Sequence, residues 1–334
     1  MCVKDCPVIA VVLPCHRTAS HVLDVIRAIG PEVKHIFAVD DKCPEHTGDL
    51  IEREGNDPRV RVIRHDVNKG VGGAVKTGYL AALEAGCDIV VKLDSDGQMD
   101  PLLIPEIMVP IVAGLADYVK GNRFFYPAYV RSMPGPRWLG NLGLSFLTKL
   151  SSGYWSIFDP CNGFTAIHRT ALQQLPLDKI ADRYFFETDM LFRLNLAGAV
   201  VTDYPMRAKY ADEKSGLDLK KILVEFSWRH MRTFAKRVYY KYFLRDFSYA
   251  SLCLLSGLPL SLFGLLFGAY SWWRGLKSGL YSPPGTVMLS ALPLLMGMQF
   301  LISFMAEDQH SQPRISLQFL YGPAGKATVH PERK

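Results

Sequence analysis

The segment VVKLDSDGQMDP, Val90 to Pro101, carries an apolar run directly into a cluster of acids. Asp94 and Asp96 are one residue apart, so that one carboxylate ends a strand and the other begins a turn, and Gln98 follows with an amide oxygen. Hard divalent cations prefer such oxygen ligands. The pattern therefore predicts a Mg²⁺ or Mn²⁺ site made of these three side chains. A solvated acidic turn is the alternative for a bare pair of this kind.

Two further acids, Asp40 and Asp41, end the apolar segment HIFAVDD. In other nucleotide crevices an acid at such a position accepts hydrogen bonds from a base edge or a ribose hydroxyl. The glycine-rich stretch NKGVGGAVKTGY opens a helical pattern, and its backbone N–H groups can approach an anion. It is neither GxGxxG nor a P-loop, because Val75 replaces the last glycine and no GK[ST] follows. These residues predict a nucleotide-binding crevice.

The elements that must position these groups alternate between strand and helix patterns over residues 1–216. The strand-like segments are PVIAVVLP, HIFAVDD, RVRVIRHD and DIVVKLDSD, and between them lie SHVLDVIRAI, TGDLIEREG and GGAVKTGYLAALEAG. Such alternation predicts an α/β domain with a mostly parallel sheet and helices on both faces. Ligands of such sheets bind beyond the carboxyl ends of the strands. We therefore expect Pro14, Asp40–Asp41, Asn68–Lys69 and Asp94–Asp96 to meet at one crevice.

The C-terminal third is apolar in a different way. Phe247 to Trp273 and Ser278 to Ala306 contain no charged residue, and each is longer than the roughly 20 residues that span a bilayer core. A mean hydropathy of +0.08 agrees with membrane contact. The sequence predicts two transmembrane helices over residues 247–306, joined as a hairpin by a short link. A buried helix pair in a soluble protein is the alternative.

Residues 217–246 interleave basic and aromatic side chains and predict amphipathic helices that lie on an anionic membrane surface. The basic residues are Lys220, Lys221, Arg229, Arg232, Lys236, Arg237, Lys241 and Arg245. They outnumber Arg274 and Lys277 in the hairpin link, so the positive-inside rule predicts that the N-terminal domain (1–216) and the tail (307–334) lie in the cytoplasm. No other feature of the sequence suggests nucleic acid as a partner.

The seven cysteines are scattered and include no CxxC pair. This spacing argues against a zinc site or a disulfide framework and favours a reducing compartment. In the first apolar run of the hairpin, Gly257, Gly264 and Gly268 are small residues that could pack against the helix of a second copy. The sequence thus leaves a homo-oligomer open.

Taken in chain order, four segments resemble the family 2 glycosyltransferases: VVLPCHR, AVDDKCPEHTGD, NKGVGGAVKTGY and LDSDGQMDP. The last three are similar to the family patterns VDD-x-S-x-D-x-T, N-x-G-x-G-x-A-x-x-x-G and D-x-D-x-Q-x-x-P. Later segments resemble the polyprenyl-phosphate sugar synthases, the dolichol-phosphate mannose synthase-like branch: KGNRF, DPCNGFTAIHR, YFFETDMLFRLNLAG and DYPMRAKYADEKSGL. In two places the chain departs from the family pattern, since His16-Arg17-Thr18 replaces Tyr-Asn-Glu, and Cys43 and His46 replace Ser and Asp.

The resemblance implies a GT-A fold and inverting transfer of a sugar from a UDP- or GDP-sugar. It implies undecaprenyl or dolichyl phosphate as the acceptor, at the cytoplasmic face of the membrane. Two alternatives remain open. One is transfer to a sugar hydroxyl of a lipid-linked oligosaccharide, for which Asp189 or Glu187 would have to take the proton. The other is a non-catalytic membrane scaffold with the same fold, against which the intact acidic motif argues.

Carried over residue by residue, the resemblance also implies site residues. The metal set is Asp94, Asp96 and Gln98. The donor-binding set is Pro14, Asp40, Asp41, Lys69 and Asp94. Phosphate groups of the donor or acceptor would be held by Arg123, Arg131, Lys214 and Ser215. The catalytic set is Asp94, Asp96, Glu187 and Asp189, because the last two stand where the family places acids near the reacting sugar.

Overall fold

The computed structural model describes residues 7–126, 135–160, 162–206 and 219–321. The chain divides into two compact units. The first takes in the chain as far as Phe234 and again from Pro313 onward, and the second runs from Ala235 to Gln312. Arg131, Lys214 and Ser215, predicted to bind phosphate, lie outside the described residues.

The first unit is built on a mostly parallel sheet, as the sequence predicts. Its described strands are β1 (Ile9–Cys15), β2 (Val33–Asp40), β3 (Val60–Arg64), β4 (Ile89–Lys92), β5 (Tyr118–Asn122), β6 (Thr165–His168) and β7 (Val201–Pro205). They lie side by side in the order β3-β2-β1-β4-β6-β5-β7. β6 is antiparallel to both of its neighbours, and the other adjacent pairs are parallel. The order places β4 at the centre of the sheet.

Helices cover both faces of this sheet. Those described in the first unit are α1 (Val22–Ala28), α2 (Thr47–Glu54), α3 (Val71–Glu84), α4 (Ile104–Val112), α5 (Gly135–Ser152), α6 (Arg169–Gln173), α7 (Phe186–Ala197), most of α8 (Leu219–Tyr239), and α11 (Leu317–Tyr321). Strand β1 shows why two layers are needed: Val11 packs in one core with residues of α1 and α4, whereas Val12 packs in another with residues of α3 and α7. A strand that is apolar on both faces must be covered on both.

The second unit contains two long apolar helices, α9 (Tyr249–Ser278) and α10 (Pro284–His310). By length and composition both are able to cross a membrane, and most residues in the most apolar stretch of each helix are not buried. They pack on each other through small residues, since a Cβ on Gly264 would lie 2.6 Å from the backbone nitrogen of Leu294. Gly257 and Gly268 also face α10, at Gly297 and Ser290. These glycines therefore contact α10 within the chain, and packing against a second copy stays a prediction.

One basic residue of the interfacial segment is buried, contrary to the sequence prediction. Arg237 is fully buried and donates from Nη1 and Nη2 to the two carboxylate oxygens of Asp308, at 2.6 and 2.9 Å. The hydroxyl of Tyr242 donates to the same carboxylate at 2.6 Å. The exposure expected for Arg237 was wrong because a helical pattern of basic residues does not reveal that one of them meets an acid 71 positions later, while the interfacial position of the segment stays a prediction.

After the hairpin the chain returns to the first unit. Asp117, immediately before β5, accepts backbone hydrogen bonds from Leu317 at 2.8 Å and from Gln318 at 3.1 Å. The hydroxyl of Ser316 donates to the carbonyl of Gly114 at 2.7 Å. The buried carboxylate of Asp117 thus caps the first turn of α11 and fixes this helix to the rest of the first unit.

Candidate active site

The carboxyl ends of β1, β2 and β4 meet at one edge of the sheet. The hydroxyl of Ser95, which lies between the two motif acids, donates to the carbonyl of Pro14 at 2.7 Å. The backbone nitrogen of Asp41 donates to the carbonyl of Cys15 at 3.1 Å. These contacts bring together strand ends that the sequence places in one crevice, and Pro14 contributes its backbone oxygen to the junction.

Asp41 organises the glycine-rich loop. Its carboxylate accepts hydrogen bonds from the backbone nitrogens of Lys69 and Gly70, at 2.8 and 2.7 Å, and lies 2.7 Å from Nδ1 of His65. Gly70 has a φ of +88°, a backbone conformation that favours glycine. The carboxylate of Asp41 therefore holds the loop before α3, and Lys69 in that loop is exposed.

Asp40 organises the neighbouring turn. Its two carboxylate oxygens accept from the backbone nitrogens of Cys43 and Gly48, both at 2.7 Å. The side chain is buried, and a Cβ on Gly48 would lie 2.7 Å from one of its oxygens. The carboxylate thus holds the turn that leads into α2, and the structure directs it into the protein backbone.

Asp94 lies in a cluster of charged side chains. Nζ of Lys92, the last residue of β4, is 3.0 Å from Oδ1 of Asp94 and 3.3 Å from Oε1 of Glu187. Lys92 is 1% exposed. Burial alone would lower the pKa of this ammonium, but the two carboxylates outweigh it and hold the pKa of Lys92 above its ordinary value. Lys92 thus forms a buried ion pair with each of the two acids.

Gly163 leaves room for this cluster. A Cβ at Gly163 would overlap Oδ2 of Asp94 and lie 2.6 Å from Nζ of Lys92. The preceding residue, Asn162, is buried and donates from its side chain to the carbonyl of Gly121 at 2.8 Å. The segment that contains Gly163 is thus anchored to β5 and presents bare backbone to the acids.

Asp96 and Gln98 form the turn beyond Asp94. Oδ1 of Asp96 accepts from the backbone nitrogen of Gln98 at 3.0 Å, and Gly97 between them has a φ of +76°. Within the described ranges no three His, Cys, Asp or Glu side chains converge on a metal-sized point. Two carboxylates and an amide oxygen fit a hard cation that takes its remaining ligands from a bound diphosphate or water. These three side chains are thus compatible as ligands of Mg²⁺ or Mn²⁺.

The two acids of α7 have different surroundings. Glu187 faces Lys92, and its side chain is 14% exposed. Oδ2 of Asp189 accepts from the backbone nitrogen of Ala181 at 2.9 Å and from Nε of Arg193 at 3.2 Å. Glu187 therefore belongs to the cluster around Asp94, while Asp189 stabilises the segment that leads into α7.

Arg123, predicted to bind phosphate, pairs with Asp159. Its Nε and Nη2 donate to the two carboxylate oxygens at 2.8 and 3.0 Å, and its backbone nitrogen donates at 3.2 Å. Asp159 is buried, so that the pair fixes the guanidinium at the end of β5. The sequence analysis did not identify Lys92, Asp159 or Gly163. Of these three residues, only Lys92 could have been noticed in the sequence, as a lysine at the end of the apolar segment IVVK. Ion pairs across the sheet leave no local pattern.

Comparisons with known proteins agree with this geometry. The model of the family described as Glycosyl transferase family 2 matches residues 10–175. The chain is 36% identical over 154 residues to UDP-N-acetylglucosamine--dolichyl-phosphate N-acetylglucosaminyltransferase of Methanococcus voltae, an alignment that covers 46% of this chain and 61% of the relative. It is 30% identical over 177 residues to undecaprenyl-phosphate mannosyltransferase of Micrococcus luteus, which covers 51% and 70%.

A solved structure shares the fold. Glucosyl-3-phosphoglycerate synthase from Mycobacterium tuberculosis, in complex with Mn²⁺, UDP-glucose and phosphoglyceric acid, matches with a TM-score of 0.51 and 22% identity. The match covers 69% of this chain and 79% of that one. With the matched motifs lying at the strand ends just described, the chain belongs to glycosyl transferase family 2, and its first unit has the GT-A fold.

Proposed function

We propose that this protein transfers a sugar, with inversion, from a UDP- or GDP-sugar to a polyprenyl phosphate (undecaprenyl or dolichyl) at the cytoplasmic face of a membrane. The observation that carries the proposal is the cluster of Asp94, Glu187 and Lys92 at the end of β4, beside Asp96 and the loop held by Asp41. Two relatives named for dolichyl- and undecaprenyl-phosphate transfer support this acceptor class. The helices α9 and α10 support a membrane location.

In this proposal Asp94, Asp96 and Gln98 hold a divalent cation. When bound, such an ion offsets the negative charge that builds on the leaving diphosphate. The loop after β3 presents backbone N–H groups at the start of α3, which suit the phosphates of a donor. Asp41 fixes that loop, and Lys69 adds an exposed cation. The chain thus binds and orients the donor at the sheet edge.

The surroundings of the two acids in α7 favour a phosphate acceptor over a hydroxyl. A phosphate oxygen is already anionic at neutral pH and needs no strong base, whereas a sugar hydroxyl must lose a proton. Both acids that the sequence offers as bases are engaged, Glu187 with Lys92 and Asp189 with Arg193. The ion-paired state of these carboxylates therefore supports lipid phosphate.

The test is transfer of label from nucleotide sugars to lipid in membranes that contain the full-length protein. We expect the label in a monophosphoryl lipid that mild acid cleaves. Asp94→Asn and Asp96→Asn should each lower the rate by roughly 100-fold or more, because each removes a charged ligand. Asp24→Asn, at an exposed acid of α1, is the matched control and should have no effect.

Other outcomes would replace the proposal. Label in an oligosaccharide that resists mild acid would indicate a hydroxyl acceptor. A wild-type protein that binds no UDP- or GDP-sugar in the presence of Mn²⁺, measured by calorimetry, would indicate a scaffold without catalytic activity.

A further inference from the structure

Lys92 occupies an unusual place for a cation. It ends the central strand β4, where its neighbours across the sheet are Val12 and Thr165, and its side chain is 2% exposed. Lysine is rarely buried unless it is paired, and here both partners belong to the proposed active site. The ammonium contacts Asp94 and Glu187, and the side chain of Asp94 is 28% exposed whereas that of Lys92 is 2% exposed.

The lysine determines how much negative charge the cluster offers to a metal. Lys92, Asp94 and Glu187 together carry a net charge of −1, and without Lys92 the two acids would carry −2. Asp96 adds one further negative charge in both cases. Water and salt screen little between groups that are buried in contact, so the ammonium opposes any second cation that approaches Asp94. A divalent ion would therefore find a weaker site than two adjacent carboxylates suggest.

The packing around the lysine is tight. The space above it is taken by the backbone of Gly163, where even a methyl group would lie 2.6 Å from Nζ. An approaching metal ion therefore meets the ammonium of Lys92 beside Asp94.

We propose that Lys92 keeps the acidic motif from holding a divalent ion by itself, so that the ion binds only together with the diphosphate of the donor. The diphosphate supplies the negative charge that Lys92 withholds, and metal and donor enter as one complex. This inference deepens the proposed function and rests on it. Lys92 is in these terms a positioning residue, since it acts on the metal through Asp94 and Glu187.

Binding of Mn²⁺ alone to the full-length protein in detergent tests this role. In the wild type we expect weak binding of Mn²⁺, strengthened many-fold by UDP or GDP. Lys92→Met should bind Mn²⁺ alone roughly tenfold tighter or more, because a repelling charge a few ångströms away is lost. The added effect of the nucleotide should shrink. Lys92→Arg, which keeps the charge, should resemble the wild type.

A matched control is Lys120→Met. Lys120, in β5, is also buried and also pairs with Thr165 of β6. Its ammonium donates to the carbonyl of Asn162. Removing it takes away a buried cation of the same kind without freeing Asp94 or Glu187. We expect its affinity for Mn²⁺ alone to stay within about twofold of the wild-type value.

The double variant Lys92→Met/Glu187→Gln separates charge from geometry and avoids an unpaired buried acid should the single variant fail to fold. It restores the net charge of −1, so its binding of Mn²⁺ alone should return to the weak wild-type level. Unchanged or weaker binding of Mn²⁺ alone by a folded Lys92→Met protein would overturn the inference, as would tight binding by the double variant. Failure of the proposed function would be seen separately, because the wild-type protein would then bind no nucleotide sugar even in the presence of Mn²⁺.

Discussion

At the scale of single residues, Asp203 in β7 combines burial with an uneven set of partners. Oδ2 accepts from the side chain of Asn122 at 2.8 Å and from the backbone of Phe158 at 3.0 Å. Within the part of the chain that the structure describes, Oδ1 is buried without a hydrogen-bond partner. Burial raises the pKa of Asp203 to about 6, although these hydrogen bonds oppose the shift.

This shift makes a prediction about pH. The folded protein keeps the Asp203 proton between about pH 4 and pH 6, where the unfolded chain has lost it, so this residue's contribution to the free energy of unfolding falls as pH rises through that window. Asp203→Asn keeps an acceptor oxygen and cannot titrate, and it should remove that fall. The measurement is urea unfolding at several pH values.

A second buried residue, His230, changes the free energy of unfolding with pH in the opposite direction to Asp203. Burial lowers the pKa of His230 to about 4, so its contribution to stability grows as pH rises from about 4 to 6.5. The pH profile of Asp203→Asn must therefore be compared with that of the wild type, because the profile of either protein also contains the contribution of His230. Parallel pH profiles for wild type and Asp203→Asn would contradict the assignment.

Sequence could locate chemistry at single residues but not their partners. Asp94 and Asp96 were predicted because an acidic pair that follows an apolar strand is a local pattern. Asp40 and Asp41 were found equally easily, yet their carboxylates turn to backbone nitrogens of Gly48 and Gly70. Which way an acid points depends on loops that come together only in the folded chain.

At the scale of elements, Asp41 joins β2 to the loop before α3. Asp41→Asn keeps one acceptor oxygen but places an amide N–H₂ against a donor, at Lys69 or Gly70. We expect a loss of about 1–3 kcal/mol in the free energy of unfolding and a rise of roughly tenfold in the KM for the nucleotide sugar. Thermal unfolding and initial rates would measure these two effects.

A matched control lies nearby. Asp66 is exposed and follows His65 in the same loop, so Asp66→Asn changes charge there without removing the acceptor of the Lys69 and Gly70 backbone nitrogens. It should leave both quantities near the wild-type values. A wild-type KM for Asp41→Asn would show that the loop does not need this carboxylate.

Elements were predicted where their pattern is local and missed where it is not. Strands β1 to β4 and their helices followed from alternating apolar segments, which the structure confirms. The antiparallel placement of β6 between β4 and β5 was not predictable, because pairings such as Lys92 with Thr165 join residues far apart in the chain. The buried cluster at Asp94 depends on that pairing.

At the scale of the whole molecule, the second unit contains a buried ion pair between Arg237 and Asp308, with Tyr242 as a third member. Removing one partner leaves the other charge buried and unpaired, which costs about 3–5 kcal/mol. Asp308→Asn should therefore destabilise this unit, as thermal unfolding of the full chain in detergent would show. Glu307→Gln, at the exposed neighbour, is the control.

The residues proposed to bind nucleotide all belong to the first unit, so Asp308→Asn should retain metal-dependent binding of nucleotide. Equal melting temperatures for Asp308→Asn and Glu307→Gln would contradict a stabilising role for the pair. The two apolar helices themselves were predicted from uncharged length alone. Their polar partner on α8 was not, because the basic pattern there pointed to a membrane surface.

The hydrogen bonds from Leu317 and Gln318 to Asp117 constrain how the polypeptide is threaded. A chain that leaves a folded body at one residue and rejoins it at another can pass through any intervening barrier only an even number of times. In this protein, the contacts of Asp117 with α11 therefore require an even number of membrane crossings between these two parts of the first unit. A single crossing would place Asp117 and α11 on opposite sides and would break their hydrogen bonds.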